Sequence, residues 1–518
     1  MTKGKTINIR HLTAIVRILG IILLGLALSG IFSYHPGLPG ILFASALLVM
    51  SHDKLYGFSF AAWMLDKPMK SLLIQSRNYR PLSFVLFTAF ILLISSCSGV
   101  DKEPVRSGPI FSTEMVFPVQ DEHVHGSTIV ELPNGDLLVG WFQGSGERWA
   151  DDVRIMGSRK KKGQDNWSEP FLLADVKEFP DCNPVLFIDG QGRLWLMWMT
   201  IIANQWETAL LVYRISDDYM DMAGAPEWDW QDILLMKPGG KTERGILPDD
   251  SFVASVERQL EEYTEYVKSD PGKSPYTESW NTHAEKIRSM AKGENMIRAG
   301  RIYEQEGGYD EVQLGYPYFR RMGWQTGTKP YITETGRMIV PLYSDGFSMS
   351  IMAYTDDWGE NWEYSTPLVG SGNIQPAIAQ TRSGELVAYM RDNGPPPKRL
   401  HVSRSTDSGE TWSLVQDSDI PNSGTLCDIV TLDNGDWILI NNDTEVGRSR
   451  LTVSLSEDGG ESWQFSRSIA DDQSTRSHYP AIIAGSDGLF HVSYSYFAEG
   501  NRKTIKYSVF NEEWMKSN

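Results

Sequence analysis

Short apolar segments separated by glycine-containing turns follow one another from about residue 110 to about residue 510. Each unit has an apolar strand, a first turn, a second and a third strand, and a polar turn, with a repeat length of about 50 residues. Glycine suits the first turn because it readily takes a positive φ. These turns carry the dipeptides Asn134-Gly135, Gln191-Gly192, Thr335-Gly336, Ser383-Gly384, Asn434-Gly435 and Asp487-Gly488. Six such units predict an all-β protein, a six-bladed β-propeller.

Three units also share a second turn of the form (S/T)-x-D-x-G-x-x-W, at residues 355–362, 405–412 and 456–463. We expect the Asp side chain to accept backbone hydrogen bonds within the turn and the Trp ring to pack beneath it. The pattern resembles the Asp-box, or BNR repeat, of the sialidase-like superfamily, and the resemblance covers roughly residues 110–510. It implies a carbohydrate-active enzyme of the kind called predicted neuraminidases, in which the Asp-boxes are structural.

One interval between first turns, from Gly192 to Gly336, is much longer than the others. We therefore expect a propeller at residues 110–512 with a helical insertion at 239–318 in the third blade. Apolar residues in this stretch recur at helical spacing: Phe252, Val256, Leu260, Tyr263 and Val267. The insertion either packs on the propeller or forms a lid or rim that shapes a substrate cleft.

Residues 69–97 have the order of a bacterial lipoprotein signal peptide. Basic residues precede an apolar run, and small residues then lead to a cysteine. The final segment, Ile94-Ser95-Ser96-Cys97, resembles a lipobox. This resemblance implies a lipid-modified Cys97, a polar tether at 98–109, and a protein anchored to the bacterial outer membrane in the cell envelope. The alternative is a transmembrane helix with an incidental cysteine.

Residues 1–68 contain two further apolar stretches, at about 18–32 and 38–50. Each is shorter than the ~20 residues that span a bilayer. The segment is therefore either a membrane hairpin or a region upstream of the true start at Met69.

Composition excludes some functions and leaves others open. With a formal net charge of −18, the chain lacks the basic excess of a general nucleic-acid binder. The two cysteines of the propeller, Cys182 and Cys427, are expected to be buried thiols rather than a disulfide framework. Because no metal-ligand spacing, phosphate-binding loop or dinucleotide motif occurs in the sequence, we expect no cofactor and no metal. The expected partners are a glycan and a membrane, and the protein is expected to be a monomer.

In a propeller the innermost strands start at one face, and the second strands return to it. That face, called the mouth here, lies opposite the first turns. Counting back from the turns places at the mouth His125, Asn183, Lys329, Gln375, Asp428 and Tyr479. Counting forward places there Trp141, Trp198, Tyr343, Asp345, Arg391 and Tyr494. Aromatic rings, amides and a few charges suit the binding of sugars.

The catalytic candidates rest partly on the resemblance. Asp151 and Asp152 stand where sialidase-like enzymes carry their acid, and Tyr479 lies roughly where they carry a tyrosine nucleophile. Sialidases bind the sugar carboxylate with three arginines, the first in an Arg-Ile-Pro motif. Here that level holds His125, and the cations expected at the mouth are Arg391 and Lys329.

Three functions stay open on these residues. The first is a glycoside hydrolase that removes a terminal sugar, acidic or neutral, from a glycan. The second follows from a resemblance to sialidase-like propellers such as ulvan lyases, which cleave uronate-containing polysaccharides by β-elimination. It implies His125 and Tyr479 or Tyr343 as base and acid, with Arg391 or Lys329 neutralising the uronate. The third is a propeller that binds a glycan without catalysis.

Overall fold

The computed structural model describes residues 108–220, 222–239, 250–292 and 321–517. The segments 1–68 and 69–97, with Cys97, lie outside the described residues. Their anchoring role stays a prediction. No helix in the described ranges is both long and apolar enough to cross a membrane.

The described chain folds into six antiparallel sheets, which are the six predicted blades. Each of the first three blades is given by its strands from the innermost outward. Blade 1 contains β2 (His123–Glu131), β3 (Leu137–Gly144), β4 (Arg154–Lys160) and β5 (Phe171–Ala174). Blade 2 contains β6 (Asp181–Ile188), β7 (Leu194–Ile201), β8 (Ala209–Ser216) and β9 (Trp230–Ile233). Blade 3 contains β10 (Trp324–Gln325), β11 (Tyr331–Ile332), β12 (Met338–Ser344), β13 (Met349–Thr355) and β14 (Glu363–Tyr364).

The last three blades follow the same order, and the sixth borrows a strand from the start of the propeller. Blade 4 contains β15 (Asn373–Gln380), β16 (Leu386–Asp392), β17 (Arg399–Ser405) and β18 (Gln416–Pro421). Blade 5 contains β19 (Asp428–Thr431), β20 (Trp437–Asn441), β21 (Arg450–Ser456) and β22 (Phe465–Asp471). Blade 6 contains β23 (Arg476–Ala484), β24 (Phe490–Phe497), β25 (Lys503–Phe510) and β1 (Phe111–Met115).

Strand β1 pairs with β25, so the two ends of the propeller are joined within one sheet. Five consecutive pairs, from Phe111 opposite Phe510 to Met115 opposite Lys506, form this contact. The pairing closes the ring and leaves neither terminal blade incomplete.

The first turns adopt the predicted backbone. Their six glycines have φ between 78° and 90°. The apolar strands they connect are buried on both faces because each sheet packs between two neighbours. Cys182 and Cys427 are buried free thiols, as predicted.

The three Asp-boxes form the predicted turns between the third and fourth strands of blades 3, 4 and 5. In each, the Asp accepts a hydrogen bond from the amide four residues later, at 2.8–2.9 Å. The Ser or Thr hydroxyl at the start of the turn accepts one from the glycine amide, at 2.8–2.9 Å. The turns are thereby rigid, and they lie on the face away from the mouth.

We expect Asp458→Ala to lower the free energy of unfolding by about 1–2 kcal/mol at neutral pH, since it removes charge-assisted bonds at an exposed turn. Hydrogen bonds from the Ser462 side chain and backbone lower the pKa of Asp458 to about 2. The stabilisation is therefore present above the ordinary pKa of about 4 and is lost as the pH falls toward 2. Urea unfolding at pH 7 and pH 3 measures the difference. Glu461→Ala in the same turn is the control, and an equal loss there would contradict the assignment.

The described part of the insertion contains two helices, α1 (Ser251–Ser269) and α2 (Thr277–Lys292), and a short helix, α3 (Glu512–Lys516), follows the last strand. The insertion falls between β9 and β10, before the first strand of blade 3. The predicted apolar face of α1 is buried in a cluster shared with blades 3 and 4. The side chain of Gln259 ties α1 to the loop before blade 4, donating to the Pro367 carbonyl at 2.5 Å and accepting from the Val369 amide at 3.0 Å.

Candidate active site at the propeller mouth

The inner strands of four blades carry the same irregularity at the mouth. Strands β2, β6, β15 and β23 each shift register at a β-bulge. One residue in each bulge has a positive φ: Gly126 (59°), Asn183 (48°), Gln375 (54°) and Tyr479 (54°). A bulge re-aims the side chain it carries, and left-handed backbone outside glycine is concentrated at functional sites. Asn183 and Tyr479 thereby line one narrow cavity with residues from blades 1, 3 and 5.

The hydroxyl of Tyr479 is the centre of this site. Arg391 donates a hydrogen bond to it at 2.9 Å, and the Gln375 amide lies 3.5 Å away. The guanidinium of Arg448 lies over the Tyr479 ring, 5.7 Å from its centroid. A phenolic oxygen that accepts a hydrogen bond from one guanidinium group, with a second guanidinium over its ring, is suited to carry negative charge during a reaction.

A second tyrosine forms the floor of the mouth. The Tyr343 hydroxyl accepts hydrogen bonds from Gln375 at 3.2 Å and from Asn183 at 3.3 Å. Burial raises the pKa of Tyr343 well above its ordinary value. Tyr343 is therefore a neutral hydrogen-bonding group that joins blades 2, 3 and 4.

Two buried histidines lie beside Tyr479. The centroid of the His125 ring is 4.2 Å from the Tyr479 ring and 4.9 Å from that of His478. His125 Nδ1 lies 2.9 Å from the Ser495 hydroxyl. Burial, followed by repulsion between the two imidazoles, lowers the pKa of His125, and burial with repulsion from Arg448 lowers that of His478. Both rings are therefore neutral at pH 7, and a neutral imidazole can accept a proton.

Three arginines, Arg391, Arg448 and Arg476, lie around the two histidine rings. Each donates hydrogen bonds to neutral groups. Arg391 also donates to Gln375 at 3.2 Å and to Asn393 at 3.0 Å. Arg448 donates to the Gly424 carbonyl at 3.0 Å, and Arg476 to Asn501 at 3.0 Å. Among the described residues, none of the three forms an ion pair with a carboxylate. Burial and repulsion from the other two arginines lower the pKa of Arg448.

Asp345, one of the acidic residues predicted at the mouth, lies close enough to Arg391 for the two charges to interact. Burial raises its pKa, while a 2.7 Å hydrogen bond from Gln325 and the charge of Arg391 oppose the shift. A carboxyl group with a raised pKa is suited to donate a proton.

The loop of blade 1 holds its own carboxylates in local contacts. Asp152 accepts hydrogen bonds from the Ser145 amide at 3.0 Å and from the Ser145 hydroxyl at 2.7 Å. Asp151 accepts one from Asn204 at 2.9 Å. Both aspartates are exposed, and these bonds order the loop. Their catalytic role stays a prediction.

Lys329 and Asp428, which were both predicted to line the mouth, form an ion pair with each other. The Lys329 ammonium is 2.7 Å from both Asp428 oxygens and 2.9 Å from the Ile429 carbonyl. Asp428 also accepts the Ile482 amide at 2.8 Å. The pair thus joins blades 3, 5 and 6, and the role of Lys329 and Asp428 in binding substrate stays a prediction.

Three residues that were predicted to bind sugar are buried, which contradicts that prediction. Trp141 and Trp198 are fully buried, and Tyr494 is 1% exposed. The Trp198 indole donates to Asp181 at 2.8 Å, and the Trp141 ring stacks on Phe117 with centroids 4.8 Å apart. These rings belong to the core between blades, since side chains alternate along a strand and the count from the turn selected the wrong face.

Several residues of the site were missed by the sequence analysis: Arg448, Arg476, Asn393, Trp149 and Trp206. Trp149 is 58% exposed on the blade 1 loop, where the Arg148 guanidinium lies 5.4 Å from its ring and 5.2 Å from that of Trp206. Most of these residues lie on the loops between second and third strands. A search of every such loop for arginine and tryptophan would have found Arg448 and Trp149.

One group of acidic residues in the described part of the chain has oxygens close enough to share a cation: Asp436, Glu457 and Glu512. Arg382 already binds Asp436, and Lys516 binds the other two. The group lies away from the mouth, so no step of the chemistry below uses it.

The fold and the mouth define a six-bladed propeller of the sialidase-like superfamily. A family model, described as a BNR repeat-like domain, matches residues 135–242 and 326–492, which is more than half of the chain. The chain belongs to this family.

Individual relatives are distant. Anhydrosialidase from Macrobdella decora is 34% identical over 82 residues, which are 15% of this chain and 10% of that protein. A sialidase from Bacteroides fragilis is 24% identical over 138 residues, 25% of each chain. The matched regions thus span between a tenth and a quarter of the length of these curated relatives.

Solved structures support the fold. A protein of unknown function from Dyadobacter fermentans aligns with a TM-score of 0.52 at 12% identity, covering 77% of this chain and 98% of that one. The NanB sialidase from Streptococcus pneumoniae aligns with a TM-score of 0.52 at 12% identity, covering 78% and 71%. At such identities the likeness concerns the fold alone.

Proposed function

We propose that this protein is a glycoside hydrolase that removes a terminal acidic sugar from a glycan. The observation that carries the proposal is the set of three arginines, Arg391, Arg448 and Arg476, whose hydrogen-bond partners are neutral. In a chain with a net charge of −18, three guanidinium groups without a carboxylate partner in the described ranges form a local site that can bind an anionic ligand. A sugar carboxylate beside the Tyr479 hydroxyl is such a ligand.

The reaction follows from the groups around Tyr479. The phenolic oxygen attacks the anomeric carbon while the glycosidic C–O bond breaks, and Asp345 gives its proton to the leaving oxygen. His125, neutral and in ring contact with Tyr479, accepts the phenolic proton. Water then attacks the same carbon, the sugar leaves with a new hydroxyl, and the protons return to Tyr479 and Asp345.

A second candidate, β-elimination from a uronate, is favoured by the same contact between neutral His125 and Tyr479. His125 would take the proton beside the carboxylate, and Tyr479 would donate one to the leaving oxygen. The arginines would neutralise the carboxylate in this reaction as well.

A product screen by mass spectrometry separates these functions. The purified propeller, residues 98–518, is incubated in H₂¹⁸O with glycans that end in sialic acid, uronic acid or neutral sugars. We expect a released acidic sugar carrying one ¹⁸O and no ultraviolet-absorbing product. An absorbing 4,5-unsaturated uronate without ¹⁸O would favour the lyase, and binding without either product would contradict both enzymes.

A further inference from the structure

A pocket of about 290 Å³ lies between the helical insertion and the mouth loops of blades 3 and 4. The insertion supplies the half-buried ring of Tyr276 at its edge, and the side chains of Tyr263 and Trp280, 0% and 3% exposed, support the pocket from within the core. The blades supply Ser348 and Asn393 among its polar groups. The accessible part of the Tyr276 ring, with hydroxyl and amide groups around the pocket, suits a pyranose ring, which has apolar faces and polar edges.

The pocket is held open by fixed contacts. The Trp280 indole donates to the Thr264 hydroxyl at 2.9 Å, which fixes α2 against α1. Lys273, between the helices, lies 2.7 Å from Asp417 of blade 4. A preformed pocket binds with less loss of side-chain entropy than one that must be ordered by its ligand.

Close backbone approach shapes the other side. A Cβ added to Gly372, where φ is 86°, would lie 2.6 Å from the Asn393 backbone. A Cβ added to Gly394 would lie 2.2 Å from the Ser371 carbonyl oxygen. Ser348, on the neighbouring turn, has a φ of 55° although it is not glycine. The two blade loops therefore meet in a conformation that most sequences would not adopt.

The pocket adjoins the proposed catalytic centre. Asn393, which lines the pocket, accepts a hydrogen bond from Arg391 at 3.0 Å, and Arg391 donates from its other terminal nitrogen to Tyr479 at 2.9 Å. One guanidinium group thus separates the pocket from the attacking oxygen. A glycan with its acidic sugar at the arginines would place its next sugar toward the insertion.

The charges of the pocket indicate what that sugar is. The Lys273 ammonium is engaged by Asp417, and burial together with the charge of Lys286 lowers the pKa of His283, so that its ring is neutral at pH 7. His283 Nε2 is buried without a hydrogen-bond partner in the described part of the chain. A neutral pocket with an unused imidazole nitrogen favours hydroxyl groups over a second carboxylate.

We infer that this pocket is a subsite for the neutral sugar that follows the terminal acidic sugar. The enzyme would then recognise a disaccharide unit, with the insertion selecting the leaving-group side. This inference rests on the proposed function for its order of sugars, but the binding of a neutral sugar by the pocket does not require catalysis.

Binding tests the pocket directly. Saturation-transfer NMR with lactose, N-acetyllactosamine and cellobiose, each at about 10 mM, is expected to detect binding of at least one. Ser279→Trp places a bulky ring at the exposed edge of the pocket and should abolish the signal. Asn281→Trp, an equal substitution at an exposed position two residues further along α2, should retain it. No binding by the unmodified protein, or equal binding by Ser279→Trp, would overturn the inference.

Kinetics test the link to the catalytic centre. For the oligosaccharide cleaved in the product screen, Ser279→Trp should lower kcat/KM by about tenfold or more. The free terminal sugar has no leaving group, so its inhibition constant as a competitive product inhibitor should change less than about twofold. An equal weakening of the oligosaccharide reaction and of inhibition by the free sugar would overturn the subsite. If the unmodified protein does not cleave the oligosaccharide, the proposed function fails and the binding result alone decides the pocket.

Discussion

Tyr479→Phe should lower kcat by about a thousandfold or more on the glycan that the unmodified protein cleaves, because the substitution removes the attacking oxygen. The phenylalanine ring keeps the contact with His125, so the fold is expected to remain. Arg391 would lose one partner but retain Gln375 and Asn393. Initial rates at saturating substrate, with a thermal unfolding curve for each protein, measure the two effects separately.

The matched control for this prediction is Tyr496→Phe, a second tyrosine of blade 6 whose ring contacts Lys506. It should retain activity within about twofold of the unmodified protein. Mass spectrometry of the protein quenched during turnover should find the sugar on Tyr479 when a 3-fluoro substrate analogue slows the second step. Turnover by Tyr479→Phe close to that of the control would exclude the tyrosine nucleophile.

Lys329→Met should lower the free energy of unfolding by about 3 kcal/mol, since it leaves the buried charge of Asp428 without its ammonium partner. Asp428 is 3% exposed, and it would keep only backbone amides as donors. For a domain of this size the loss corresponds to a fall in Tm of roughly 5 °C. Differential scanning calorimetry measures it.

The double variant Lys329→Met/Asp428→Asn provides the control, because it removes both charges and keeps an oxygen acceptor at position 428. It should be more stable than Lys329→Met alone, as expected when the penalty comes from an unpaired buried charge. A double variant that is less stable than the single one would show that Lys329 acts through packing instead.

The fold was predictable because its signals are local. A first-turn glycine or an Asp-box is determined by a few consecutive residues, and each such turn in the structure has the expected φ and hydrogen bonds. The insertion was predictable for the same reason, since the buried face of α1 follows helical spacing. The blade count then follows from repetition.

The site was predictable only in part, because it depends on which way a side chain turns at an irregular strand. The bulges before Thr128, Val185, Ala377 and Ala481 break the alternation of faces that a count from the turn assumes. Tyr479 and Gln375 lie in such bulges and meet at the mouth. Trp141 and Trp198, on the second strands β3 and β7, were placed there wrongly because alternation turns their rings into the core. Arg448 lies on a loop, and its approach to Tyr479 depends on contacts between blades that no local pattern records.

The pairing of β1 with β25 has a consequence for how the chain reaches this structure. Strand β1 is synthesised before the other strands of the propeller, but it can pair only after β25, the last strand, has been made. Contacts of such sequence separation are costly in loop entropy and form late. During synthesis, blades 1 to 5 can therefore assemble in order while β1 waits with an unpaired edge, which is exposed to aggregation until β25 has been made. Refolding should accordingly end with a slow phase in which the two termini become protected from hydrogen exchange together.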